Sequence, residues 1–175
     1  MGQFEFMNQN IQIAGFEAEI NNLTEIMDSI KDMRAKSCCD GGAIQLLHAR
    51  GIAGEKHILQ ATLQALKAFN RNENMANDLG LEICVRASAQ RQISRALRIL
   101  GIEKGKINIY AVAVDCDENV MQKLGIFLGK KHNKVLKADI NVLKELYEIS
   151  NEEIKSAGNI ERVLVERTAL LSLEI

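Results

Sequence analysis

The stretch Ile107–Val114 sets the tightest limit on what this chain can fold into. Its second half, from Tyr110 to Val114, is apolar at every position, so both faces of the strand it predicts need cover and the strand belongs at the centre of a sheet. Ile11 and Ile13 suggest a short strand, and Ile44–Ala49 is another candidate. Leu81, Ile83, Val85 and Ala87 alternate with Glu82, Cys84 and Arg86, the period of a half-buried strand. Leu23, Ile26, Met27, Ile30 and Met33 recur at helical spacing, as do Ile58, Leu59, Thr62, Leu63, Leu66 and Phe69 after Gly54. Ser37–Gly42 reads as a loop and Lys130–Lys137 as a basic connection.

Beyond Asp115 the spacing predicts helices over Asp117–Leu128 and Asp139–Ile149. A short third helix starts at a capping box of Ser150 and Glu153, and a last one runs from Ile160 to about Leu173 behind Asn159. The expected class is α/β of the mixed α+β kind: a small mixed sheet packed with helices, plus a helical C-terminal third. At 175 residues the chain has the size of one domain. The reading assigns residues 7–175 to that domain and treats residues 1–6 as an added leader before a start at Met7.

Lys and Arg number 22 and Asp and Glu 23, for a net charge of −1, which excludes a globally basic nucleic-acid coat but not a local patch. Apolar runs such as Ala111–Val114 fall far short of the ~18–20 residues that cross a bilayer, and the N-terminus does not resemble a signal peptide; the expectation is a cytoplasmic protein without membrane contact. Cys38, Cys39, Cys84 and Cys116 form no CxxC spacing and read as reduced thiols used as small apolar residues. Nucleotide-binding, zinc-protease and serine-hydrolase motifs are absent, so no enzyme activity, cofactor or metal is expected.

The chemistry concentrates in Ile83–Ile102, which holds Arg86, Arg91, Arg95 and Arg98 and no acid, a local charge of +4. Read as a strand, a turn capped by Ser88 and a helix ending at Gly101, this segment puts Arg86 on the polar face of the strand. Ile93, Ala96, Leu97 and Leu100 would be the buried stripe of the helix and the other arginines its opposite face. Helix N–H groups near Ser88–Gln90 would complete a phosphate cradle. A solvated cationic face with no ligand produces the same pattern. Lys56 and His57 open the preceding helix and would lie at the same sheet edge if the two preceding strands are neighbours. In the last helix, Ile160, Val163, Leu164, Leu170 and Leu171 form one apolar strip and Val165, Ala169 and Leu173 a second. Such a helix lies deep in a core or covers a partner.

Glu82-Ile83-Cys84-Val85-Arg86-Ala87-Ser88-Ala89-Gln90-Arg91-Gln92-Ile93 resembles the signature of the kinase-binding subunit family of the KEOPS complex (TPRKB-like). Lys56–Ala61, Ile160–Leu164 and Thr168–Leu171 are similar to further blocks of that family, in the same order. The resemblance spans Ile11 to Leu173. Ala89 stands where the family often has Gly, a swap expected to be mild at the first turn of a helix. Met33–Ala43 is longer than usual, and Leu79-Gly80-Leu81 replaces a common aromatic.

What the resemblance implies is a non-catalytic subunit that binds a small atypical kinase and recruits tRNA by its 3′ CCA end, in a complex that adds threonylcarbamoyl to an adenosine of tRNA. On this reading Lys56, His57, Arg86, Gln90, Arg91 and Arg95 meet tRNA, and Val165, Ala169 and Leu173 meet the kinase. The alternative is a domain that binds a phosphorylated small molecule at the turn around Arg86–Arg91.

Overall fold

A computed structural model describes residues 2–132 and 137–173. The chain divides into two compact units. One comprises residues 1–49 and 102–135, and the other, which interrupts it in sequence, residues 50–101 and 136–175.

The first unit is built on a sheet. Strands β1 (Gly2–Phe6), β2 (Gln9–Ile20), β4 (Gly105–Cys116) and β3 (Cys38–His48) lie side by side in that order, and β5 (Gly129–Lys131) pairs with β2. Every pairing is antiparallel, so the class is the α+β one expected while the sheet is antiparallel rather than mixed. Met7 and Asn8 both have positive φ, 55° and 63°. They close β1 onto β2 as a two-residue hairpin, whose mirror-image turn matches the strands' twist.

β4 occupies the central place that its sequence demands. One face of the sheet carries Ala14, Phe16, Ala18, Ile44, Leu46, Ile107, Ile109 and Ala111 into a core with Ile30 of α1 (Leu23–Ser37) and Val120, Met121, Leu124 and Leu128 of α5 (Val120–Leu128). Ile11, Ile13, Leu47, Tyr110, Val112 and Val114 on the other face are also buried.

Three local readings change here. Ser37–Gly42 is mostly the start of β3, with a register irregularity between Cys38 and Ala43. The basic connection supplies the short strand β5; Lys134 within it lies outside the described residues. The four cysteines are not all reduced, because Cys38 and Cys116 are directly opposed on β3 and β4 and form a disulfide. Only the strand register brings them together, and spacing in the sequence carries no trace of that.

The second unit is helical: α2 (Glu55–Arg71), α3 (Leu79–Ala87), α4 (Ile93–Leu100), α6 (Ile140–Tyr147), α7 (Asn151–Ala157) and α8 (Ile160–Leu170). Asp139, Ser150 and Asn159 cap α6, α7 and α8 with their side chains, as the sequence predicts.

The expected strand at Leu81–Ala87 is instead α3. Asp78 caps it by accepting from the Leu81 N–H at 2.9 Å, and every residue from Leu79 to Ala87 except Leu81 is buried. A helix enclosed on all sides shows no amphipathic stripe, so its apolar residues happened to mimic a period of two. Arg86 therefore does not lie on a strand's polar face. It is 1% exposed and its Nε donates to Glu82 Oε1 at 2.8 Å, one helical turn away.

Candidate nucleic-acid and partner surfaces

The buried end of α3 explains several polar residues at once. The last carbonyls of a helix have no partner within the helix, and here no water can reach them. The Ser88 N–H donates to Cys84 O at 3.0 Å, and Ser88 Oγ donates to Val85 O at 2.9 Å. Thr168 Oγ1 donates to Arg86 O at 3.0 Å. Ala87 O accepts from His57 Nε2 at 2.8 Å and from the Tyr147 hydroxyl at 3.4 Å.

The chain then turns as a Schellman motif, in which the Ala89 N–H donates to Arg86 O and the Gln90 N–H to Val85 O. That motif holds its pivot in the left-handed region, and Ala89 has φ +50°. The swap of Gly for Ala is thus not mild at this position, because it falls on a helix end that favours glycine rather than on a first turn.

This geometry sorts the expected site residues. His57 is fully buried; its Nδ1 accepts the Ala53 N–H at 3.1 Å while Nε2–H serves Ala87. Burial pushes its pKa down to about 4 against the opposing pull of the Ala87 carbonyl, so it stays neutral and has no nitrogen left for a ligand. Arg86 is spoken for by Glu82 and by Ser172 Oγ at 2.9 Å, with Nη2 unpartnered among the described residues. Both are corrected from candidate ligand contacts to parts of the core.

Lys56, Arg91 and Arg95 are exposed, and Gln90 is half-buried. The cradle also moves. Ser88 sits at the negative end of α3, which repels anions. The positive helix end is that of α4, whose N-cap Gln92 makes no side-chain hydrogen bond; Arg91 precedes it and Arg95 lies in its first turn, while Arg98 sits in the last turn. Leu97, expected in the buried stripe, is 45% exposed between Arg95 and Arg98.

Lys56 belongs to a different place. With Leu59, Gln60 and Leu63 of α2 and Arg162 and Val165 of α8, it lines a cleft of about 380 Å³. Glu161 Oε1 accepts the Lys56 N–H at 3.2 Å, capping α2 from another helix, and a Cβ on Gly54 would collide with that carboxylate. The cleft joins Lys56, expected to meet tRNA, to Val165, expected to meet a kinase.

Along α8 the first strip is core at Ile160, Val163 and Leu164, followed by Leu171 just past the helix, but Leu170 is 52% exposed. In the second strip Val165 and Ala169 are half-buried and Leu173 is 79% exposed. Leu59 and Leu63, one turn apart, were legible as apolar but not as cleft lining. Arg162 falls in the Ile160–Leu164 block that resembles the family, but nothing in the sequence marks it as cleft lining.

The family model described as "Kinase binding protein CGI-121" matches residues 18–172. The chain belongs to this CGI-121 family. A relative from Methanocaldococcus jannaschii, "Regulatory protein Cgi121", is 31% identical over 134 residues, covering 77% of this chain and 86% of its own length. The CGI-121 match takes in α2, α3, α4 and α8, and so the surfaces described above apart from Leu173. Among the described residues no helix is long and apolar enough to cross a membrane, and no group of three or more His, Cys, Asp or Glu could hold a metal ion.

Proposed function

We propose that this protein is a non-catalytic subunit of the KEOPS tRNA-modifying complex in the cytoplasm, holding the small atypical kinase on α8 and receiving the 3′ CCA end of tRNA at the start of α4. The observation that carries the kinase half is membership in a family described by kinase binding. Val165, Ala169 and Leu173 offer it an apolar strip that the core leaves partly uncovered. The RNA half is supported by the uncapped α4 N-terminus beside Arg91 and Arg95, since free N–H groups and guanidinium forks both match phosphate oxygens. Gln90 completes the candidate RNA contacts beside α4, Lys56 offers a further one from the separate α2–α8 cleft, and His57 and Arg86 support the turn from within.

Two binding measurements on the same purified variants test this. Arg91→Ala and Arg95→Ala should each weaken tRNA binding by about 1–3 kcal/mol and make it less salt-dependent, while pull-down of the kinase is unchanged. Val165→Asp with Leu173→Asp should abolish kinase capture, because a carboxylate left unpaired in an apolar interface is costly, with tRNA binding retained and a thermal melt confirming the fold. Equal affinity for tRNA with and without its CCA end would overturn the RNA reading. Displacement of tRNA by a small phosphorylated metabolite would favour the alternative ligand at this turn.

A further inference from the structure

The Cys38–Cys116 disulfide lies in the sheet unit, where neither proposed binding surface is found. It closes a loop between residues 78 apart. Cys116 lines an open cleft of about 640 Å³ together with Cys39, Asp115, Asp117 and Glu118. The ladder beside it is irregular, since β3 pairs with β4 at Cys38 and then not again until Ala43. Segment 39–42 therefore spans the gap, with Gly41 at φ +83° and Gly42 O held by Arg34 Nε at 2.8 Å.

The bond has a non-covalent clasp next to it. The Asp117 N–H donates to Ser37 O at 2.7 Å. Lys123 Nζ bridges Ser37 Oγ at 2.9 Å and Asp117 Oδ2 at 2.8 Å, and Gln12 Nε2 donates to Cys116 O at 3.3 Å and Asp117 O at 3.0 Å.

We propose that Cys38–Cys116 is a redox latch opened by small thiols through this cleft, that the carboxylates around it select against anionic thiols, and that its opening loosens only segment 39–42. A thiolate in the cleft attacks Cys116 Sγ, the S–S electron pair leaves on Cys38 Sγ, and that sulfur takes up a proton. A second thiol then attacks the mixed disulfide and frees Cys116. Two small thiols are oxidised to their disulfide and one protein disulfide is reduced to two thiols. The sheet survives because the clasp through Ser37, Lys123 and Gln12 does not depend on the covalent bond.

The test uses the full chain carrying Cys39→Ser, which removes the exposed third sulfur. Cys84 is buried and should not label in the native state. Without a reductant, iodoacetamide followed by mass measurement should find no labelled cysteine; labelling of Cys38 and Cys116 at that stage overturns the proposal. Cysteamine should then expose both. After each thiol's rate is normalised to a small-molecule disulfide, 2-mercaptoethanesulfonate should react about tenfold more slowly at low ionic strength. The gap should close in roughly 1 M salt and narrow in Glu118→Gln. Equal normalised rates at low salt overturn the selection. Hydrogen exchange before and after reduction should rise at residues 39–42 alone, and loss of protection along β2 and β4 overturns the confinement.

Discussion

Among the described residues, the buried polar and charged side chains of the sheet unit are Gln12, Ser37 and His48, and those of the helical unit are His57, Thr62, Glu82, Arg86, Ser88 and Thr168. Part of the difference follows from where each unit's backbone ends: His57, Ser88 and Thr168 all serve the buried end of α3. A β-ladder satisfies its own N–H and C=O groups across strands, so β2 and β4 can bury apolar residues with little else. A helix that terminates inside a core leaves carbonyls behind, and α3 does so between Cys84 and Ala87. Side chains from α2, α6 and α8 must reach in to meet them. Three of these polar residues, Glu82, Arg86 and Ser88, fall within the stretch that looks most like a binding motif.

The sharpest way to break the comparison is Glu82→Ala. Glu82 Oε2 also accepts the Met75 and Ala76 N–H groups at 2.8 Å each, so the change strands Arg86 and two backbone donors together. Urea unfolding should show a loss of about 3–5 kcal/mol, whereas Gln12→Leu in the sheet unit should cost far less. Equal losses would mean that the two cores tolerate polar deletion alike.

Acid should separate the units next. His57 has its folded pKa depressed from 6.5 to about 4, so the native state binds fewer protons than the unfolded chain between those values. Its contribution is full above pH 6.5 and is lost as pH falls, up to about 3 kcal/mol by pH 4. Hydrogen exchange at pH 7 and pH 4.5 should show the loss on α2 and α3, and a His57→Gln variant should have a flatter stability profile over this range.

The smallest expected effect has the opposite sign. Ala89→Gly relieves a left-handed alanine and should add about 1 kcal/mol, read as a higher melting temperature. A neutral or lower value would show that the unfolded-state entropy of glycine outweighs the strain.

How much was legible in the sequence follows the same division. Strand β4, helix α1, helix α2 and the capped helices α6, α7 and α8 were readable because each is apolar on the faces it buries or carries its own cap. Helix α3 was misread because full enclosure erases its stripe, although Glu82 and Arg86 four residues apart are a helical ion pair and Asp78 a helix start. The core roles of His57 and Arg86 were invisible, since they depend on where α3 ends relative to α2 and α8. The exposed arginines were legible because local charge needs no tertiary knowledge.

The capping of α2 by Glu161 bears on the order in which the chain can be completed. The carboxylate that satisfies the Lys56 N–H arrives 105 residues later, and β4, which pairs with the full length of β2 from Ile11 onward, begins at residue 105. Closing such loops costs conformational entropy before any contact repays it, and a chain dominated by distant partners folds slowly for its length. During synthesis the start of α2 must wait, uncapped, until α8 has left the ribosome. A chain that stops before α8 would expose both the apolar strip of α2 and the frayed turn at Lys56, making premature termination a more damaging event than the modest size of the missing segment suggests.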